Sequence, residues 1–559
     1  MQTIRLAISL TVVTAFTAHA IGQTTTRDSL TSAGAQDPLG GNTPALSADG
    51  RFIAFRSTGS TLVPGDTNGA SDIFVRDRVT GQTTRVSVDS AGLQANDNSF
   101  DPELTADGRY VVFRSAASNL VAGDTNNMPD IFRHDRQTGT TIRVSVGAAG
   151  QQPTQPANGG VMSDDGRYVV FYCGDNTLVP GDICVQSDVF CRDCLTGTTA
   201  LISTSLLTGQ TFNPRSNPRL SSAGEFIVFQ STGDDLAPND FNGWSDIFVW
   251  SRATNSISLV SVGSSGNQGN SGSSTASVSA DGRFVAFASN ASNFLAGDTT
   301  DSDVFVRDRL LGQLTCVSLA PGGQLANGDS FAPSISGDGR FVVFWSTASN
   351  LVAGDTNGVY DVFVHDRATN TTSRASVSAA GAQGTGQSTN GKIAQGGRYI
   401  AFDSTASNLV VPDTNLTVTD CYVRDLGATA SVMAYGAGCP GTGLLVPGIS
   451  NVGWPLIGNA AFGIGVHDGL AQAPAGVFWS TAAGSTPLDG CDVLLGAPVN
   501  TLSGVMLDAM GSGVTALPIP NDQTLLNVDL FFQALVLDVN GPFLGLGALS
   551  NGLAVHIAN

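Results

Sequence analysis

The sequence predicts an all-β protein, a seven-bladed β-propeller followed by a β-sandwich-like C-terminal domain. Three observations carry this. A motif first seen as Ser47-Ala48-Asp49-Gly50-Arg51-Phe52 recurs with anchors at 51, 109, 167, 225, 283, 340 and 398, spaced 58, 58, 58, 58, 57 and 58 residues apart. Of the 46 acidic residues only Glu103 and Glu225 are Glu, and Lys392 is the only lysine. Helices favour Glu, Lys, Leu and Ala, whereas Asp, Asn, Gly, Ser and Thr favour turns. Finally, residues 425–559 contain no Lys or Arg, which marks a second unit of different composition.

The elements follow in chain order. Residues 1–20 read as a signal peptide: Arg5 is basic, Leu6–Phe16 is apolar, and Ala18-His19-Ala20 fits a small-x-small cleavage site. The apolar run is too short to span a bilayer, and later apolar stretches are broken by Gly, Pro, Asn and Asp, so no transmembrane segment is expected. Export to a periplasm or to the medium is the expected address.

Residues 24–426 hold the repeats. In the first copy, strands are expected at Asn42–Ser47, Arg51–Ser57, Asp72–Arg78 and Thr83–Val88, bounded by Asp-Gly, Thr-Asn-Gly and Thr-Gly turns. Four short strands per unit is the arithmetic of a propeller blade. Thr25–Gly34 matches Thr83–Gly92 at the same offset of 58. The chain therefore opens with an outer strand that lacks its own three partners, and this strand is expected to complete the seventh blade. The alternative is that Ala430–Ala434 does so. Residues 436–559 show short β-like runs, among them Ala460–His467, Gly476–Ser480, Leu525–Leu537 and Leu553–Ile557, which suggest a sandwich.

Ser-Ala-Asp-Gly-Arg-Phe, an apolar strand and then Asp-Ile-Phe-Val-Arg-Asp resembles the TolB-like, WD-repeat-like propeller repeats of bacterial exported proteins. Such propellers serve as binding platforms, enzyme scaffolds and accessory domains, so the resemblance implies a fold rather than an activity. Phe531–Asp538 followed by Ala548–Leu553 resembles C-terminal domains of secreted planctomycete proteins, which would imply a sorting, attachment or adhesion role.

A net charge of -20 argues against nucleic acid or anionic lipid as a partner, and 41% hydrophobic with 13% charged residues excludes a disordered chain. Much of the charge reads as structural. Arg51 opens a second strand and Asp77 closes the adjacent third, so the two are expected to pair, as are 109–135, 167–193, 283–308, 340–366 and 398–425. The fourth copy has Glu225 and Ser251 at these places, and Glu225 is expected to face Arg252 instead.

The loop between second and third strands is the candidate metal site. It carries Asp66, Asn68 and Asp72; Asp124, Asn126 and Asp130; Asp240, Asn242 and Asp246; and Asp355, Asn357 and Asp361. The copy from Asp413 to Asp420 is one residue longer, that from Asp298 to Asp303 one shorter, and the third copy is broken by Cys184. Calcium takes six to eight hard oxygen ligands, often from a glycine-kinked loop, so Asp-x-Asn-Gly-x-x-Asp offers part of a structural calcium site. The other reading is that these residues form Asx-turns.

Catalytic signatures are missing. His134 and His365 occupy the repeat position of Arg76, and no Gly-x-Ser-x-Gly elbow occurs. No catalytic residue is assigned. Four of the eight cysteines, Cys173, Cys184, Cys191 and Cys194, fall in the third copy and are expected to form disulfides; Cys439 and Cys491 are expected to bond to each other. The function expected is that of an exported, non-catalytic monomer that binds a protein or glycan partner. Its binding face would carry the Asp-Thr-Asn-Gly and inter-blade loops. A polysaccharide hydrolase or lyase and a structural envelope component are the alternatives.

Overall fold

A computed structural model describes residues 23–427 except 183–185, 205–214 and 299–300. Within 431–557 it describes all but 436–447, 453–462, 468–469, 471, 489–490, 496, 509–511, 520–527, 538–546 and 551. The expected signal peptide lies outside the described residues.

Seven four-stranded antiparallel sheets follow one another along the chain. Blade one is built from Asn42–Leu46, Phe52–Ser57, Asp72–Asp77 and Thr83–Arg85, and blade two from Ser99–Leu104, Tyr110–Ser115, Asp130–Asp135 and Thr140–Arg143. Blade seven takes three strands from Ser388–Ile393, Tyr399–Ser404 and Asp420–Asp425 and its outer strand from Thr24–Arg27. Thr24 pairs with Asp425 and Arg27 with Tyr422, so the N-terminal strand closes the ring. The alternative segment is engaged elsewhere: Ser431–Tyr435 pairs with Gly552–His556.

The same side chains hold each blade. The second strand buries a phenylalanine that stacks on an aromatic of the third, as in Phe55–Phe74 (5.8 Å), Phe113–Phe132 (6.0 Å) and Phe402–Tyr422 (5.7 Å). Ring pairs of this kind add dispersion to their large apolar burial. The six arginine–aspartate pairs form as expected, with Nη2 to Oδ2 distances of 2.7 Å in Arg51–Asp77 and Arg109–Asp135. In the fourth blade Glu225 makes no ion pair with Arg252 among the described residues. Arg252 lies over the Tyr168 ring at 3.8 Å and donates from Nε to Gly224 O.

Successive blades are joined through the turn between first and second strands, which is Asp-Gly in five copies, Ala223-Gly224 in the fourth and Gly396-Gly397 in the seventh. Its glycine has φ between 67° and 76° in all seven copies, a conformation that excludes most side chains. Its bare face presses on the aromatic ring that opens the second strand of the preceding blade. A Cβ on Gly166 would lie 2.5 Å from Tyr110 Cδ2. That ring cannot retreat, because Arg109 and Arg133 lie over it at 4.6 and 4.4 Å. Gly166→Ala is expected to cost about 2–4 kcal/mol, from the left-handed backbone and the overpacked ring together. Urea unfolding measures this, and an unchanged midpoint would show that the junction yields freely.

The C-terminal region is a sandwich. One sheet of six strands includes Pro474–Ser480, Asn500–Met506 and Asp529–Leu537, and a three-stranded sheet contains Gly448–Val452, Gly463–His467 and Gly513–Ala516. Ile449, Ile464 and Val466 of the smaller sheet share one buried cluster with Val477, Phe532 and Val555 of the larger.

The disulfide expectation for blade three is corrected. Cys173, Cys191 and Cys194 are free thiols. Cys173 pairs with Asp188 at one end of its strand, while Cys194 follows Asp193 at the other. Six residues of strand put them about 20 Å apart, far beyond disulfide reach. Cys191 faces the fourth blade, in a cluster with Ile227 and Trp250. Cys316 and Cys421 are also free, and Cys184 and Cys439 lie outside the described residues.

Candidate functional site: a polar cup in the central channel

The innermost strands line the central channel. Each carries a bulge whose residue has left-handed φ, at Thr43, Asp101, Gly159, Asn217, Thr275, Ala332 and Asn390. A bulge twists the strand and re-aims the residues around it. Two residues further on stand Ala45, Glu103, Val161, Arg219, Ser277, Ser334 and Lys392. The chain's single lysine and one of its two glutamates thus occupy one ring. A second ring follows the invariant phenylalanine of the second strand: Arg56, Arg114, Tyr172, Gln230, Ala288, Trp345 and Asp403. The copies agree where they build scaffold and differ at these rings.

A cavity of about 280 Å³ lies here, lined by Asp101, Glu103, Arg114, Tyr172, Arg219 and Lys392 among others. Arg114 is fixed: its Nη1 donates to Asn158 Oδ1 at 2.9 Å, and with Arg56 it covers the Phe100 ring. Asp403 is also engaged, accepting from Thr389 Oγ1 and Asn390 Nδ2 at 2.7 Å each. The side chains of Asp101, Glu103 and Lys392 make no hydrogen bond or ion pair among the described residues. Burial and the neighbouring Arg219 push the Lys392 ammonium down to about 8, against the opposing pull of Glu103 and Asp101.

The far end of the channel is narrow. Turns between first and second strands meet there through six main-chain hydrogen bonds, including Ala48 N to Ala106 O and Gly337 N to Gln395 O, both 2.9 Å. Gln395 Nε2 then spans the opening to Asp164 Oδ1 and to Ser222 Oγ at 3.1 Å. The cavity is a cup with a floor.

Its mouth lies at the end where the inter-blade loops enter the inner strands. The Asp-Thr-Asn-Gly loops share that face: Asn68 Nδ2 donates to Ala95 O and Asn126 Nδ2 to Pro153 O, both at 3.0 Å. In three of the four loops named from sequence, an arginine of the fourth strand bridges the two aspartates. Arg85 reaches Asp66 at 3.1 Å and Asp72 at 3.5 Å, and Arg143 reaches Asp124 at 2.9 Å and Asp130 at 3.2 Å. Arg374 does the same for Asp355 and Asp361, at 3.2 and 3.5 Å. Asn68, Asn126 and Asn357 each donate to the second aspartate, at 2.8–2.9 Å. Each asparagine also accepts from the amide two residues on, the Asx-turn geometry. In the seventh blade Arg27 holds Asp413 and Asp420. Blade four has Leu259 at the arginine position, so Asp240, Asn242 and Asp246 lack this partner. Among the described residues no three His, Cys, Asp or Glu side chains converge on a metal-binding point.

The histidines sit as the repeat implies. His134 Nδ1 meets Thr141 Oγ1 at 2.9 Å, as Arg76 Nη1 meets Thr83 Oγ1 at 3.1 Å, and burial pushes His365 down to about 4.

The fold and its cup define a seven-bladed β-propeller with a one-ended central channel, joined to a β-sandwich. No protein-family profile matches the sequence, and no curated protein is similar to it. Among solved structures, the chain is similar to an oligogalacturonate lyase in complex with manganese (13% identity, 73% of this chain and 97% of that one, TM-score 0.42). It is also similar to a putative TolB from Agrobacterium tumefaciens (15% identity, 62% and 95%, TM-score 0.34). A third is the β-propeller domain of the Trilobed protease from Pyrococcus furiosus (9% identity, 69% and 94%, TM-score 0.43). The TolB-like propeller expected from the repeats is thus found among its structural neighbours. No helix among the described residues is long and apolar enough to cross a membrane.

Proposed function

We propose that this chain is an exported, non-catalytic binding protein that takes part of a protein or glycan ligand into the channel cup. One observation carries the reading. Seven near-identical blades diverge at the cup, and the side chains of Asp101, Glu103 and Lys392 there have no hydrogen bond or ion pair among the described residues. Elsewhere charges are spent on the fold, in the arginine–aspartate pairs and the loop bridges. Lys392 and Arg219 suit a carboxylate or other anionic group, Asp101 and Glu103 suit hydroxyl or ammonium donors, and Tyr172 offers a ring to pack on.

The test is a binding screen of acidic oligosaccharides and short peptides against wild type and Lys392→Met. A bound anionic fragment should lose at least tenfold in affinity in the variant. The wild-type affinity should also fall as pH rises through about 8, because the lysine loses its charge there. No binder in either class, or affinity indifferent to Lys392, would remove the cup from consideration.

A lyase is the second reading, favoured by the same lysine. An amine near neutrality beside an arginine could abstract a proton α to a carboxylate held by that arginine. Incubation with a uronic-acid polymer decides it, since elimination leaves an unsaturated, ultraviolet-absorbing end.

A further inference from the structure

The loop of blade four departs from its copies in three ways that share one sense. Its fourth strand carries Leu259 where blades one, two and six carry the bridging Arg85, Arg143 and Arg374. Two positions that are Ser and Asn in blades two, five, six and seven are here Asp234 and Asp235. A positive charge is removed from one pair of aspartates, and of the two added carboxylates Asp234 acts on both members of the pair.

The geometry shows what is missing. Asp246 is 0% exposed and Asp240 1% exposed. Asp246 Oδ1 accepts from Ser261 Oγ, but its Oδ2 has no hydrogen-bond partner. In blade one the same oxygen of Asp72 receives Asn68 and Arg85. A fully buried carboxylate oxygen without a partner is costly. Four other blades answer the same pair of carboxylates with a guanidinium from inside the fold.

We propose that the blade-four loop binds a divalent cation, of which calcium is the best fit, at the place where the other blades hold arginine. Asp240 and Asp246 would be the charged ligands, with loop carbonyls, the Asn242 side chain and water completing the shell. Calcium accepts such an irregular set of hard oxygens, and two carboxylates place the affinity near the ~10⁻⁴–10⁻³ M range of extracellular modules. Magnesium demands a stricter octahedron and gives up its water reluctantly. The loop also displays Phe241 and Trp244, 78% and 50% exposed, where blade one has Thr67 and Ala70. The ion would therefore fix an aromatic pair on the loop face. This inference is independent of what the cup binds.

Trp244 makes the test local. Terbium, a luminescent substitute for calcium, should be sensitised by this tryptophan in the full-length protein and displaced by millimolar calcium. Calcium should also raise the melting temperature by roughly 2–4 °C over a chelator. Leu259→Arg installs the guanidinium of the other blades. It should abolish the terbium signal and raise the melting temperature in chelator. A wild-type protein without sensitised luminescence, or a Leu259→Arg protein that keeps it, overturns the proposal. If the arginine variant does not fold, Asp240→Asn replaces it: terbium affinity should fall at least tenfold, and unchanged affinity overturns the proposal equally.

Discussion

A chain shortened to begin at Leu30 is expected to lose the cooperative unfolding of its propeller. The deleted segment contributes Thr24–Arg27, which pair with Tyr422–Asp425, and Arg27 has side-chain contacts to Asp413 at 3.2 Å and Asp420 at 3.4 Å. Arg27 also donates to Val410 O at 3.0 Å and Pro412 O at 3.1 Å. Ser29 Oγ donates to Asp420 Oδ1 at 2.7 Å. Without them two buried carboxylates lose their cation, a loss that typically costs about 3–5 kcal/mol for a single broken buried pair. The third strand of blade seven becomes an open edge, ready to pair with another chain. Against a total stability of about 5–15 kcal/mol for a typical domain, the sum is disabling. Urea unfolding followed by circular dichroism and size-exclusion chromatography should show a broad, early transition and association. A shortened protein that melts at the wild-type midpoint would mean that the ring does not depend on this closure.

Arg143→Ala is expected to cost about 3–5 kcal/mol, because it leaves Asp124 and Asp130 buried together without their cation. Its side chain is 9% exposed and bridges both carboxylates. Arg109→Ala in the same blade is the control. That arginine pairs with Asp135 at 2.7 Å, but its side chain is 37% exposed and the pair is screened by water. Denaturant midpoints of the two variants should therefore separate widely. Equal effects would show that burial does not set the value of these charges. The exposed pairs carry a pH signature of their own. Asp77, Asp135 and Asp193 are held well below the ordinary carboxylate range by their arginines. Their contribution is present above the unfolded value of about 3.9 and is lost as pH falls below it.

The fold was legible because the repeat is regular. Strand ends read from Asn42, Asp72 and Thr83 fall where the structure has them. The closing strand was visible as an unpaired echo of Thr83–Gly92. The cup was not, although its signal is present: Lys392 and Glu103 occupy equivalent positions in two copies. Comparing copies for likeness hides what differs. The bulge between Phe100 and Glu103 also shifts the register, so simple alternation along the strand fails to say which residues face the channel. The arginine bridges were hidden for another reason. Arg85 lies 19 residues from Asp66 in sequence, and only the folded blade lays its guanidinium over the loop. Its counterpart signal, Leu201, Leu259 and Cys316 in place of arginine, gains meaning once that contact is known. The cysteines misled because spacing along one strand says nothing of the opposite faces and ends to which the thiols go.

On the proposed function, the floor made by Gln395, Asp164 and Ser222 decides what part of a polymer the cup would take. A through-channel lets a polymer thread and be gripped anywhere along its length. A closed one admits only a terminus or a side branch, which must leave by the way it came. The number of sites that such a protein can occupy on a polymer then scales with the number of chain ends. Fragmenting the polymer at constant mass would multiply them.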